Sequence, residues 1–124
     1  MQLIVLQLNS QPDWTPNRAA IGQLLASLPA ARPALVLLPE NFACLGSRDA
    51  YQALAEPLGD GPIQQQLAAW SREHDLWLVA GSLPTRIAGE PRLHTTTLLY
   101  DPQGQLRAHY HKIHLFDVDV ADSH

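Results

Sequence analysis

Residues 34–42 read A-L-V-L-L-P-E-N-F, and the fold turns on how this stretch is understood. The unbroken apolar run Leu35, Val36, Leu37 and Leu38 predicts a strand buried on both faces, as a parallel sheet requires. Pro39 ends the ladder, because it has no N–H to donate and biases Leu38 towards an extended backbone. Glu40 follows at once, so a carboxylate is delivered to the carboxyl end of a core strand. In open α/β sheets that end is where ligands bind. Taken alone, Glu40 reads as a loop acid pointing into water, since most Asp and Glu are solvated. A partner elsewhere in the chain is needed to overturn that reading.

Upstream, Gln2 to Leu8 (Q-L-I-V-L-Q-L) is β-rich and predicts the first core strand. Thr15-Pro16 has the chemistry of a helix start, a Thr suited to the N-cap and then Pro at the first helical position. Ile21, Leu24, Leu25 and Leu28 follow at i, i+3, i+4 and i+7, one apolar stripe of an amphipathic helix. Strand, helix, strand is a βαβ unit, with a right-handed crossover expected. Downstream, a short helical segment is expected around Ser47 to Ala55. Gly59-Asp60-Gly61-Pro62 is a break, and Pro62 suits the first turn of another helix, whose Ile63, Leu67 and Trp70 share one face. Leu76 to Ala80 (L-W-L-V-A) predicts a third buried strand, closed by Gly81-Ser82. Up to this point the order is that of a layered α/β protein. Leu93 to Tyr100, the turn Asp101-Pro102-Gln103-Gly104 and Gln105 to Tyr110 then predict a hairpin, so the sheet is expected to be mixed.

Composition narrows the class. The 124 residues are 46% hydrophobic and 16% charged, with a net charge of -4, which is material for a single packed domain and not for a disordered chain. Mild acidity without a Lys/Arg cluster argues against nucleic acid as a partner. The single cysteine, Cys44, cannot form an internal disulfide, which suits a reducing compartment. Met1 leads straight into a short strand-like run, so neither a signal peptide nor a membrane span is expected and the cytoplasm is the default location.

The second informative stretch is Tyr110-His111-Lys112-Ile113-His114-Leu115-Phe116-Asp117. Lys112 follows a strand, as Glu40 does. In isolation such a lysine is a surface residue passing an apolar patch. L-L-P-E-N-F and Y-H-K-I-H-L-F-D, in this order, resemble the nitrilase or carbon–nitrogen hydrolase superfamily. The similarity extends to I-V-L-Q-L-N, L-V-A-G-S and the D-P-Q-G turn, and so covers essentially the whole chain. The tail H-L-F-D-V-D-V resembles the branch containing deaminated glutathione amidases and omega-amidase-like proteins.

That resemblance implies an α/β fold in the form of a partial αββα sandwich, a mixed sheet with flanking helices. It implies a Glu–Lys–Cys triad, in which cysteine attacks an amide or nitrile carbon, glutamate is general base and lysine steadies the tetrahedral intermediate. By this correspondence Glu40 is the base and Lys112 the oxyanion stabiliser. A small-molecule amide is the implied substrate, no cofactor is implied, and a homodimer or higher assembly is expected of the full-length protein. The family's nucleophile lies in a later strand-to-helix turn, past the lysine, so residues 1–124 read as the N-terminal part of the hydrolase domain, inactive alone. The alternative is a non-catalytic module of the same fold that docks on a partner.

Cys44 sits four residues after Glu40 and outside the family's nucleophile context, and reads as a packing residue. The family often carries an Asn near Thr95, which this chain lacks. His109 and His111 would share a face of a strand, with His114 nearby, so zinc or copper binding is conceivable in geometry; no recognised metal spacing supports it and no metal is expected. Asp117 and Asp119 belong, by resemblance, near the substrate mouth or a subunit interface, and read equally as a solvated face.

Overall fold

The computed structural model describes residues 1–112. Three helices and six strands follow one another as β1 (Gln2–Val5), α1 (Trp14–Ala26), β2 (Ala34–Leu37), α2 (Arg48–Leu54), β3 (Glu56–Pro57), α3 (Pro62–Glu73), β4 (Trp77–Arg86), β5 (His94–Tyr100) and β6 (Leu106–His111). They form one mixed sheet in the order β1-β2-β4-β5-β6. β1, β2 and β4 run parallel, whereas β4, β5 and β6 are antiparallel. The two-residue β3 pairs in parallel with the far end of β4, Glu56 opposite Thr85.

The core lies on one side of this sheet. Val36, Leu38, Leu78, Ala80, Leu98 and Tyr100 alternate inward and meet Ile21 and Leu25 of α1 and Ile63, Leu67 and Trp70 of α3. Alternation follows from the two-residue period of a strand, and the helical positions from the 3.6-residue period. The opposite face is also apolar. Leu3, Leu35 and Trp77 stand in one row across β1, β2 and β4, and Val5, Leu37, Val79, Leu99 and Ala108 in the next. These side chains are half-buried or exposed, Leu3 at 69% and Val5 at 66%. Burial of Leu35 to Leu38 on both faces is therefore corrected: among the described residues, the helices cover one face alone. β1 is likewise an edge strand, with its outward side chains in water.

Two further expectations shift. β4 does not close at Gly81-Ser82 but continues to Arg86, through an irregularity at which three steps on β4, Ala80 to Leu83, face two on β5, Leu98 to Thr96. The extra residue is absorbed as a β-bulge and the strand resumes. α1 begins one residue before Thr15, with Asp13 as N-cap making no side-chain capping bond. Trp14 is drawn into the helix because its ring packs edge-on against Phe42 and Trp70, 6.3 and 6.1 Å between ring centroids; tertiary packing outweighs the local Thr-Pro signal.

Two carboxylates hold the far ends of this layer. Glu56 is buried, and it accepts hydrogen bonds from the backbone N–H of Ile63 (2.6 Å) and Gln64 (3.1 Å) and from Gln64 Nε2 (3.0 Å). It thus places a negative charge at the amino end of α3, where the orphan amides and the helix dipole favour one. Gly61, at φ 137°, leaves the space this carboxylate occupies. Asp101 is buried at the tip of the β5–β6 hairpin, where its Oδ1 accepts from the amides of Gln103 (2.9 Å) and Gln105 (3.0 Å) and its Oδ2 from Arg107 Nη1 (3.2 Å). The Gln105 amide first, and then Arg107 and the Gln103 amide, hold its carboxyl below the usual range.

Glu56→Ala strands two amide donors and is expected to lower stability by about 2 kcal/mol, read as a reduced urea midpoint at unchanged slope. Asp101→Asn gives a different signature. A carboxyl depressed on folding adds stability above its unfolded value of about 3.9 and loses it as pH falls through the lower folded value. The stability gap between the native protein and Asp101→Asn is therefore expected to be constant from about pH 5 to 7 and to narrow below about pH 4.

Candidate active site

Pro39 ends β2 at the sheet's carboxyl edge, and the chain turns sharply there. Leu38 N–H still reaches Val79 O (2.9 Å), the last rung of the ladder. Glu40 projects beyond it, and Asn41 takes a left-handed backbone, φ 59°, a region where Asn is tolerated better than most residues. The turn is clamped by the bulge of β4. A Cβ on Gly81 would overlap Leu38 O and the Pro39 carbonyl, so only glycine lets the two strands approach this closely. Gly81 O accepts from the Thr97 hydroxyl (2.7 Å), and the Asn41 amide donates to Ser82 Oγ (2.9 Å). Beyond the turn, Phe42, Ala43 and Cys44 are buried. Buried Asn17 of α1 donates to Ala43 O (3.0 Å) and ties the loop to the helix layer.

Lys112 arrives from the other end of the chain. It follows β6, and its amide donates to Thr95 O (2.9 Å) on β5. This bond uses the backbone, so the absence of Asn near Thr95 does not disturb it. Lys112 Nζ donates to Glu40 Oε2 at 2.8 Å, across 72 residues of sequence. The Glu40 side chain is 64% exposed and that of Lys112 36% exposed. Both line a cavity of about 340 Å³ together with Asn41, Tyr51, Ser82, Pro84, Leu93, His94 and Thr95. The two residues singled out in sequence are therefore neighbours at one cavity, an anionic and a cationic group side by side. The Tyr51 hydroxyl, from α2, donates to Asn41 Oδ1. Sequence reasoning assigned no role to Asn41, Tyr51 or Ser82; the one local signal was an Asn directly after the strand-terminating Pro39-Glu40, a residue type suited to a left-handed turn.

Cys44 does not line this cavity. It is 1% exposed, and burial, with the charge of Asp13 as a second cause, pushes its thiol up, away from the thiolate a nucleophile needs. The histidines also resolve into packing. His109 and His111 share a face, with ring centroids 5.1 Å apart, and the His94 ring also lies 5.1 Å from that of His111, both pairs tilted. His111 Nδ1 is 2.8 Å from Thr96 Oγ1, which is in turn 2.7 Å from Thr85 Oγ1, a polar chain across three strands that is buried at its Thr85–Thr96 end. Burial and the neighbouring imidazoles of His94 and His109 hold His111 below its ordinary value. Among the described residues, no group of three His, Cys, Asp or Glu side chains is placed to hold a metal. His114, Asp117 and Asp119 lie outside the described residues.

The sequence and the fold meet a clear match among known proteins. The family model for carbon–nitrogen hydrolases matches residues 3–124, and the chain belongs to that family. It is 40% identical over 121 residues to a deaminated glutathione amidase of Yersinia enterocolitica, covering 97% of this chain and 42% of the relative. It is 34% identical over 120 residues to the human omega-amidase NIT2, again covering 97% of this chain and 42% of the relative. Among solved structures, a CN-hydrolase superfamily protein from Xanthomonas campestris superposes with a TM-score of 0.75 at 31% identity, covering 93% of this chain and 42% of that one. The chain thus spans less than half the length of these relatives.

The bulge glycine gives a direct test of how the turn is built. Gly81→Ala is expected to lower stability by roughly 1–3 kcal/mol, because the methyl meets backbone and not a yielding side chain. A thermal melt checks it; an unchanged midpoint would show that β2 and β4 are free to separate at this point.

Proposed function

We propose that the intact protein is an amidase that releases ammonia from a small amide through a cysteine thioester. Glu40 is its general base and Lys112 its oxyanion stabiliser. The observation that carries this reading is the 2.8 Å contact between Lys112 Nζ and Glu40 Oε2 at the wall of one cavity. The names of the amidase relatives support the reaction class. The nucleophile belongs to a part of the protein beyond residues 1–124, since the one cysteine here is buried and its thiol is pushed up. Residues 1–124 alone are therefore inactive.

The chemistry balances on these groups. Glu40 takes the proton of the incoming thiol, and the thiolate attacks the amide carbon. Charge gathers on the carbonyl oxygen, opposite the Lys112 ammonium, which binds it more strongly than the uncharged carbonyl. On collapse the carbon–nitrogen bond breaks, and the Glu40 carboxyl returns its proton to the leaving nitrogen, so ammonia departs and a thioester remains. Glu40, again a carboxylate, takes a proton from water as the water oxygen attacks the thioester. The second tetrahedral intermediate expels the thiolate, which recovers the proton. A cation and an anion this exposed attract each other weakly while water surrounds them. Covering the cavity with further protein strengthens both roles by excluding that water.

A second reading rests on the bare apolar sheet face. Leu3 and Val5 on an edge strand invite association, so a non-catalytic module that docks on a partner, or a homodimer or larger assembly of the full-length protein, would use this side. Residues 1–124 behaving as a soluble monomer with one sharp unfolding transition would count against any need for such a cover.

In the full-length protein, Glu40→Gln is expected to fold as the parent does and to lose about 10²–10⁴-fold in ammonia release, with no acyl-enzyme detected by intact-mass spectrometry. Wild-type turnover in that variant ends the assignment of Glu40. Ammonia release by residues 1–124 that survives Cys44→Ala ends the account of the nucleophile.

A further inference from the structure

The general base assigned above is a long, exposed side chain on a turn, and its ion-pair partner is a long side chain that is itself 36% exposed. Neither property fixes a carboxylate within the fraction of an ångström that proton transfer requires. The turn is held by hydrogen bonds one residue further on. Asn41 sits at φ 59°, its amide is bonded to Ser82 Oγ at 2.9 Å, and its side-chain carbonyl accepts the Tyr51 hydroxyl. Tyr51 itself is set in a short capped helix: Ser47 Oγ accepts the Ala50 amide, and the Tyr51 amide donates to Ser47 O at 3.1 Å. The opposite anchor, Ser82, rides on the bulge whose Gly81 lies against the Pro39 carbonyl.

We propose that Tyr51 is a positioning residue for Glu40, acting through Asn41. The phenol and Ser82 grip residue 41 from two elements, α2 and β4, and so hold the peptide leaving Glu40 and the direction of its Cα–Cβ bond. The phenol is suited to this work, because burial first, with Cys44 and Glu40 as further causes, pushes it up, and it remains a hydrogen-bond donor at neutral pH. The role needs the hydroxyl and not the ring, so Phe at position 51 removes it while leaving the packing.

This inference rests on the assignment of Glu40 as base, and the test separates the two. In the full-length enzyme, Tyr51→Phe is expected to lower kcat about tenfold with KM within about twofold and the melting temperature unchanged. Asn41→Gly keeps the left-handed backbone and deletes the amide that Tyr51 grips. In that background, adding Tyr51→Phe is expected to have no further effect, because the phenol acts only through Asn41. An equal loss in both backgrounds, a rise in KM alone, or parent-like kcat in Tyr51→Phe overturns the proposal. A crystal structure of Tyr51→Phe gives a readout independent of turnover: Asn41 and the Glu40 carboxylate are expected to spread over more than one conformer, and a single undisturbed Glu40 overturns the proposal whatever the activity. Full activity in Glu40→Gln would instead defeat the functional reading, with the crystal structure still deciding whether Tyr51 orders the turn.

Discussion

The carboxyl end of β2 and the bulge of β4 touch where Gly81 meets Leu38 and Pro39, and no side chain fits between them. Much of the site depends on that contact. Pro39 removes the donor that would have continued the ladder, so the backbone is released from the sheet at this level. The bulge then supplies new partners: Ser82 Oγ accepts the Asn41 amide, and the Thr97 hydroxyl donates to the Gly81 carbonyl. The chain leaves the sheet by a fixed route, and Glu40 is carried out over the cavity. Any residue but glycine at position 81 would have put a Cβ into the turn.

The sheet has two apolar faces of different character. One is filled by α1 and α3, with Ile21, Leu25, Leu67 and Trp70 closing over Val36, Leu78 and Leu98. The other carries Leu3, Leu35 and Trp77 in one row and Val5, Leu37, Val79 and Leu99 in the next, partly in water. An apolar surface of this regularity is favourable to bury. Relatives more than twice as long as this chain have further protein with which to bury it, the chain covering 42% of each. The same argument applies to Glu40 and Lys112, whose exposure leaves their mutual attraction screened. On the proposed reading, the surface that lacks a cover and the site that lacks a nucleophile are completed together.

Polar groups buried within the layer serve architecture. Glu56 binds the first amides of α3, Asp101 closes the β5–β6 turn, and Thr85, Thr96 and His111 are linked across three strands. Each satisfies donors or acceptors that would otherwise be stranded away from water. The last of these chains ends one residue before Lys112, so it also steadies the strand that delivers the lysine.

Sequence alone announced most of the elements, though not the two-residue β3, and singled out Glu40 and Lys112. Unbroken apolar runs announced β2 and β4, a β-rich run announced β5, the i, i+4, i+7 spacing of Ile63, Leu67 and Trp70 announced α3, and D-P-Q-G announced the hairpin, because these signals are written in residues adjacent along the chain. Glu40 and Lys112 were legible through the motifs around them. What only the tertiary structure decided is set by contacts between distant residues. Trp14 opens α1 early because Phe42 and Trp70 are there to receive it; β4 outruns Gly81-Ser82 because β3 and β5 pair with its far half; β1 lies at an edge because the sheet order puts it there. The grip of Tyr51 and Ser82 on Asn41 belongs to the same class. Its partners lie 10 and 41 residues away from Asn41, and no local spacing records that they meet.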